Sequence, residues 1–276
     1  MLLHIKSSEK EPGFGSEIPA AFSTLEEARN SMDWHWNNCI HLLSDIEAAH
    51  ETHGDIGAFK QNLEASRLRV SVVVKRWHVA FQAFLQNKGK SLDRKGLQAA
   101  RTLEISQSFC SIYLEISTSD NGILTSEMAW DRFTARYEHI VELASLIVEP
   151  SPDGNTQVQP PEFSQDMNTV GPLYAVAHRC RDPVIRRKAV AILYAAPRQE
   201  GVWDSILTAR VAEKVISIEE EGLDILICAA DVPDWARIND VSVKFDLHGR
   251  LGAISYKHSR SMPEKARETI METIRW

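Results

Sequence analysis

Apolar side chains recur at three- and four-residue steps through the first 148 positions, a spacing that places them along one face of an α-helix. This pattern predicts four long helices of about six turns each, joined by short polar turns. A capping box at Ser23-Thr24-Leu25-Glu26 is expected to start the first helix. The predicted helices run from there to about Ala49, from Phe59 to near Gly89, from Ser91 or Asp93 through Leu114, and from Ser126 to Val148.

A change of composition follows the fourth helix. Residues 149–170 begin with a stretch rich in proline and small polar side chains, which cannot build a core. We therefore predict an N-terminal half of long helices (1–148), a linker (149–170) and a C-terminal half of shorter helices (171–276) packed on the first.

The C-terminal half combines short helices with a strand pair. Alternation on both sides of His248-Gly249-Arg250 predicts a β-hairpin near 241–256. The predicted fold class is mainly α, a stack or bundle of helical hairpins with a small C-terminal β-hairpin. The helices predicted in the C-terminal half are Pro172–Cys180, Pro183–Ala195 with Asp182 as N-cap, one through Trp203 and Ile218, and a final one from Pro263 to Ile274.

Charge and cysteine content narrow the class of protein. A net charge of −7 argues against binding nucleic acid over the whole surface, and four widely spaced cysteines spell out neither a zinc knuckle nor a redox pair. The first 14 residues lack the apolar core of a signal peptide, and no later stretch approaches the length of a membrane span. These features predict a soluble, intracellular protein with reduced cysteines in its core.

Polar clusters along the chain have a functional and a structural interpretation. A metal site among Asp33, His35, His41, His50 and His53 matches no established spacing, so surface and capping roles are favoured. The basic group made by Arg179, Arg181, Arg186, Arg187 and Lys188 could meet phosphate or an acidic partner. A solvated helix face, opposite Val184, Ala191 and Ile192, explains that group better.

Two further sets of side chains receive structural interpretations. The acidic run 219–221 is interpreted as a solvated helix end, and most tryptophans as core residues. No glycine-rich phosphate loop, nucleophile elbow or Cys/His pair at family spacing occurs. We therefore predict no catalytic, cofactor-binding or metal-binding residues, and an enzyme is the less favoured interpretation.

Two segments, Tyr174–Ala189 and Pro197–Ser205, resemble the C-terminal region of fungal binuclear zinc-cluster transcription factors. Residues 18–29 are similar to a helix start in those proteins, and Phe245–Arg250 to their final segment, so the resemblance covers nearly the whole chain. The positions that carry the motif are Arg181, Asp182, Pro183, Arg186, Arg187, Gln199, Glu200, Gly201 and Trp203.

The resemblance implies a regulatory region that follows a DNA-reading head in the chain. In the family, that head holds two zinc ions through six clustered cysteines, whereas this sequence has four scattered ones. The expectation is a nuclear, transcription-regulator-like protein without autonomous DNA binding. It would bind protein partners, a related full-length transcription factor or a small-molecule effector. A shortened gene prediction, a naturally headless paralogue and a headless descendant with another task remain open.

Two other hypotheses stand beside this one. A headless descendant recruited as an enzyme or small-molecule carrier in specialised metabolism would need a deep pocket lined by tryptophans. Several of His35, His41, His50, His78 and His178 would converge there with a carboxylate. A remnant that folds but does little is the third hypothesis.

Overall fold

The computed structural model describes residues 18–51, 57–117, 126–148, 162–164, 169–201, 203–246, 251–258 and 270–275. The chain divides into two compact units, Met1–Leu92 and Asp93–Trp276. The helices are α1 Leu25–Glu51, α2 Gly57–Lys88, α3 Arg94–Ser117, α4 Thr134–Ile147, α5 Val170–Arg179, α6 Pro183–Ala195 and α7 Ser205–Glu219. The strands are β1 Glu162–Ser164, β2 Arg198–Glu200, β3 Trp203–Asp204, β4 Ile238–Asp246, β5 Leu251–His258 and β6 Ile270–Arg275. The predicted fold class, mainly α with a small C-terminal hairpin, is confirmed.

The first unit is an antiparallel hairpin of α1 and α2. The indole N–H of Trp77 donates to the carbonyl of Ala28 at 3.0 Å, and Lys88 Nζ donates to the carbonyl of Ser23 at 2.7 Å. Trp77 stacks on Phe81 with ring centroids 4.7 Å apart, and both side chains are fully buried. Apolar periodicity thus correctly favours a helix through Val70–Val74 although that run alone would suit a strand.

The start of α1 lies one residue later than predicted. Thr24 Oγ1 accepts from the backbone of Glu27 at 3.0 Å, and Glu27 Oε2 accepts from the backbone of Ser23 at 2.7 Å. The capping side chains are therefore Thr24 and Glu27 rather than Ser23 and Glu26, because the helix itself begins at Leu25.

The predicted fourth helix has two parts in the second unit. Residues Glu127–Phe133 form a 3-10 helix, and α4 follows it from Thr134. A 3-10 helix has about three residues per turn, so side chains three positions apart share a face. Glu127, Trp130 and Phe133 have that spacing and are all buried.

The core of the second unit is built on α3 to α7. Side chains from both sides of the predicted linker contribute to one apolar cluster, including Ile112, Phe133, Ile140, Leu173 and Val176. The two compact units divide the chain between Leu92 and Asp93. Most of the predicted linker lies outside the described residues, and its role as a domain boundary stays a prediction.

The C-terminal sheet contains a strand where a helix is predicted. β4 and β5 pair antiparallel as the predicted hairpin, and β6 pairs antiparallel with the other edge of β5. The predicted final helix is therefore wrong for Ile270–Ile274, while 263–269 lies outside the described residues. The β-branched Ile270, Thr273 and Ile274 suit a strand, and the open edge of β5 supplies the backbone partners.

A second small sheet joins one strand before α5 to two strands between α6 and α7. β1 pairs parallel with β2, and β2 pairs antiparallel with β3 across the turn at Gly201. Gly201 has a φ of +57°, in the left-handed region that glycine adopts without steric cost.

Candidate functional site

The first motif positions, Asp182 and Pro183, start α6. Asp182 Oδ1 accepts from the backbone of Val184 and Ile185, each at 3.0 Å. Pro183 occupies the first helical turn, where its missing N–H costs nothing. The predicted N-cap is therefore confirmed.

Buried charges dominate the centre of the second unit. Arg181, Arg186 and Glu219 are fully buried. Arg181 Nη2 lies 2.9 Å from Glu219 Oε1, and Arg186 Nη2 lies 2.8 Å from Glu219 Oε2. The backbone N–H of Ile238 donates to Glu219 Oε1 at 3.0 Å. One carboxylate therefore joins α7, the loop before α6, α6 itself and the start of β4.

A second buried carboxylate, Glu127, extends these contacts. Its Oε2 lies 2.8 Å from Arg179 Nη1 and 3.2 Å from Arg181 Nη2. The five side chains that share these contacts form what we call the charge cluster. The members of the charge cluster are Glu127, Arg179, Arg181, Arg186 and Glu219.

The solvated interpretation of these residues is wrong for the members that lie deepest. Arg181, Arg186 and Glu219 are buried, although Arg187 and Lys188 are exposed as predicted. The inner face of α6 carries Ile185, Arg186, Ala189, Val190 and Leu193, whereas Val184 and Ala191 are exposed.

A signal for this burial is present in the sequence. Arg186 stands three and four positions before Ala189 and Val190, and Glu219 stands three and four positions after Ile216 and Val215. Each charged residue thus continues an apolar stripe at helical spacing. Val184, predicted to face inward, is exposed and lies outside this stripe.

Burial and neighbouring charge set the ionisation states of the cluster. Burial would raise the pKa of Glu219, but the charges of Arg181 and Arg186 and their hydrogen bonds hold that pKa below its ordinary value. His178 is buried beside the cluster. Burial first, and then the charges of Arg179, Arg181 and Arg186, keep the pKa of His178 well below its ordinary value. Glu219 is therefore ionised and His178 neutral near pH 7.

The remaining motif positions shape the turn before α7. Glu200 is buried, and its Oε2 accepts from the backbone of Thr169 and Val170, each at 2.9 Å. Its carboxylate therefore caps the start of α5. Gln199 Nε2 donates to the carbonyl of Gly201 at 3.2 Å. Trp203 lies against Tyr174, with ring centroids 5.6 Å apart.

A surface groove lies outside the charge cluster. It has a volume of about 660 Å³. One side is the outer face of α6, with Pro183, Val184, Arg187, Lys188 and Ala191. The other side follows α7 and is lined by Glu220, Leu223, Asp224 and Leu226. Arg187 and Glu220 form an ion pair that links the two sides.

None of the described histidines lines this groove. His35 and His178 are buried in different compact units, and His41 and His78 are exposed. The side chains of His50 and His53 lie outside the described residues. In the described part of the chain, no group of three or more His, Cys, Asp or Glu side chains could hold a metal ion.

The remaining cysteines and tryptophans correct two expectations. Cys110 and Cys180 are buried and form no disulfide within the described residues, as expected for reduced core thiols, but Cys228 is exposed. Trp34 and Trp235 are exposed, so the core interpretation is wrong for these two tryptophans. No described helix is long and apolar enough to cross a membrane.

The sequence of this chain is similar to that of a fungal protein. It is 35% identical, over 322 aligned positions, to the aspercryptin biosynthesis cluster-specific transcription regulator atnN of Emericella nidulans. The alignment covers 89% of this chain and 52% of that regulator. This chain is related to a fungal transcription regulator.

The similarity covers only part of that regulator. The chain spans about half the length of the regulator that it matches. No family model matches the chain, and no solved structure matches it. Its relation to transcription regulation therefore rests on sequence similarity to that regulator.

Proposed function

We propose that this chain is the regulatory region of a fungal transcription regulator and acts in the nucleus through protein partners. The observation that carries the proposal is its 35% identity to a cluster-specific transcription regulator across 89% of its length. The motif positions support a structural role for the resembling segments, since Arg181, Arg186 and Glu200 are buried and paired or capping.

The charge cluster is suited to holding a regulatory body together. A buried carboxylate bonded to two guanidinium groups and a backbone amide is satisfied within the protein. It therefore offers nothing to a substrate. Chemistry of this kind fits a rigid scaffold that presents a surface, and it does not provide a nucleophile or a general base.

DNA recognition is assigned in this proposal to a part outside these 276 residues. A six-cysteine cluster cannot form from four cysteines, two of which are buried: Cys110 in α3 and Cys180 after α5. The net charge of −7 also opposes binding to phosphates over a broad surface.

The proposal is tested by tethering the chain to a promoter. The 276 residues are fused to a heterologous DNA-binding domain in a filamentous fungus, and reporter transcription is compared with that of the domain alone. We expect a change of about fivefold or more in either direction, which corresponds to about 1 kcal/mol of recruitment free energy. Purified unfused chain is expected not to shift DNA at physiological salt.

A reporter that responds equally to the fusion and to the bare domain contradicts the proposal. Immunoblotting and a fluorescent tag establish that the fusion is present and nuclear. Tight DNA binding by the unfused chain would instead contradict the assignment of DNA recognition to another part.

A further inference from the structure

Exposed apolar side chains lie within the groove of α6 and on the chain segment that forms its second side. Val184 is 57% exposed on the α6 side, and Leu223 and Leu226 lie on the other side. Ile225 and Ile227, on the same segment as those leucines, are 90% and 79% exposed. Large apolar side chains clustered in this way on a soluble protein mark a contact surface.

The segment that forms the second side is also open at its backbone. Residues 223–227 are in neither a helix nor a strand. The backbone N–H groups of Asp224, Ile225 and Leu226 have no hydrogen-bond partner among the residues that the structure describes. Side-chain oxygens of a polypeptide can accept from such N–H groups while its apolar side chains cover the isoleucines, so these observations favour a protein segment over a small molecule.

The charged side chains on the two sides of the groove indicate which charges a bound segment needs. Arg187 and Glu220 neutralise each other through their ion pair. Lys188 remains on the α6 side and Asp224 on the other, and within the described residues neither has an ion-pair partner. An occupant with one sign of charge would face a like charge on one side, whereas an occupant with both signs would match both sides.

We propose that this groove binds an amphipathic segment of a co-regulator protein with an apolar face, acidic residues along one edge and basic residues along the other. The proposal rests on the proposed function, because it names the surface through which the regulatory region meets a partner. The occupant's leucine-type side chains pack against Val184, Leu223 and Leu226. Its acidic edge pairs with Lys188 and its basic edge with Asp224.

Three synthetic helical peptides of about 16 residues, long enough for four turns, test the charge rule. They share one leucine stripe, and their edges carry glutamate and lysine, glutamate alone or lysine alone. Each fluorescent peptide is titrated with the full chain, and its anisotropy gives Kd. We expect the mixed peptide to bind about threefold or more tightly than either single-sign peptide, as surface pairs of this kind allow.

Charge reversal in the protein should redirect this preference. Lys188→Glu makes both sides acidic, so the lysine peptide should become the tightest ligand. Asp224→Lys makes both sides basic, so the glutamate peptide should become the tightest. Binding that is unchanged across peptides and variants overturns the charge rule, and no binding by any peptide overturns the site.

Matched valine variants establish the location. Val184→Asp should weaken the mixed peptide about tenfold or more by placing an unpaired charge in the apolar contact. Val79→Asp is the control, because Val79 is 66% exposed on a helix of the other unit. Equal loss in both variants overturns the assignment. Light scattering that finds a dimer dissolved by Val184→Asp assigns the groove to a second copy and also overturns it.

Failure of this proposal can be distinguished from failure of the proposed function. A reporter response by the tethered chain without peptide binding rejects the groove alone. Peptide binding with the expected charge preference, but without a reporter response, rejects the regulatory role alone.

Discussion

Arg237 and Asp131 form a two-pronged ion pair across 106 positions of the chain, with Nη1–Oδ1 and Nη2–Oδ2 distances of 2.7 and 2.8 Å. The same guanidinium donates to the carbonyls of Val232, Ala229 and Glu127 at 2.8, 2.8 and 3.0 Å. All five N–H groups of this buried arginine are thus satisfied. The pair ties the segment before β4 to the 3-10 helix that precedes α4.

Arg237→Lys should destabilise the second unit although it keeps the positive charge. An ammonium group cannot reach the carboxylate and three carbonyls together, so buried acceptors lose their donors. We expect a loss of about 2–4 kcal/mol in the free energy of unfolding, measured by urea denaturation. Arg187→Lys is the matched control, because its pair with Glu220 lies at the surface; its loss should stay within about 1 kcal/mol. Equal losses in the two variants would contradict this account.

Glu219→Gln should be more severe, because it leaves Arg181 and Arg186 buried without their shared countercharge. Breaking a buried pair by removing one partner costs about 3–5 kcal/mol. Glu221→Gln, an exposed neighbour, should change the unfolding free energy by no more than about 0.5 kcal/mol. Urea titrations followed by circular dichroism compare the two, and a loss below about 1 kcal/mol in Glu219→Gln would show that the arginines find other partners.

Acid should weaken the second unit through His178 before it protonates Glu219. The pKa of His178 is well below its ordinary 6.5 in the folded chain, so the unfolded state binds the proton more readily. The stability that neutral His178 contributes is therefore fully present above pH 6.5. It falls as the pH drops below that value, by up to about 1.4 kcal/mol per pH unit. Glu219, whose pKa is below 4.5, stays ionised throughout this window.

Hydrogen exchange of α7 amides between pH 7.5 and 5.5, corrected for intrinsic exchange rates, measures this loss within the second unit. The substitution His178→Leu removes the titrating group and should flatten the pH dependence, whatever its effect on stability at pH 7.5. His35→Leu is the control: the pKa of His35 is also lowered by burial, but this residue lies in the first unit. An unchanged slope in His178→Leu would assign the acid sensitivity to another group.

Substitution of Gly201 should lower the stability of the fold through backbone conformation alone. Its φ is +57°, and a Cβ added there would meet no atom within 4 Å. Gly201→Ala should therefore cost about 1–2 kcal/mol through backbone strain, and Gly201→Asn less. Gly171→Ala in α5 is the contrast, because its Cβ would lie 3.9 Å from Trp203 Cε2 and alanine favours a helix. In thermal unfolding, Gly201→Ala should have the lowest Tm, Gly201→Asn a higher one and Gly171→Ala the highest. A loss in Gly171→Ala as large as that in Gly201→Ala would contradict the argument.

Local chemistry explains which features the sequence alone predicts. The N-cap at Asp182 and the following proline act within one turn, and the long apolar stripes of α1 and α2 act within one helix, so both are readable from neighbouring residues. The β4–β5 hairpin is readable for the same reason.

Features that depend on distant partners are harder to predict. Arg181 pairs with Glu219 38 positions away, and without that partner a basic run is better explained as a solvated face. The strand at Ile270–Arg275 likewise depends on the edge of β5. The groove of α6 combines an exposed helix face with a segment of no regular structure, so no single periodicity marks it.

The wide sequence spacing of the buried charges also bears on how the chain is made. Glu127 leaves the ribosome 52 residues before Arg179, and Asp131 leaves it 106 residues before Arg237. A nascent chain that ends before Arg237 therefore carries Asp131 without its cationic partner, and it gains by keeping that carboxylate hydrated. We expect the second unit to close late in translation and in one cooperative step, so that a stalled product would be recognised by proteases as an unfolded chain.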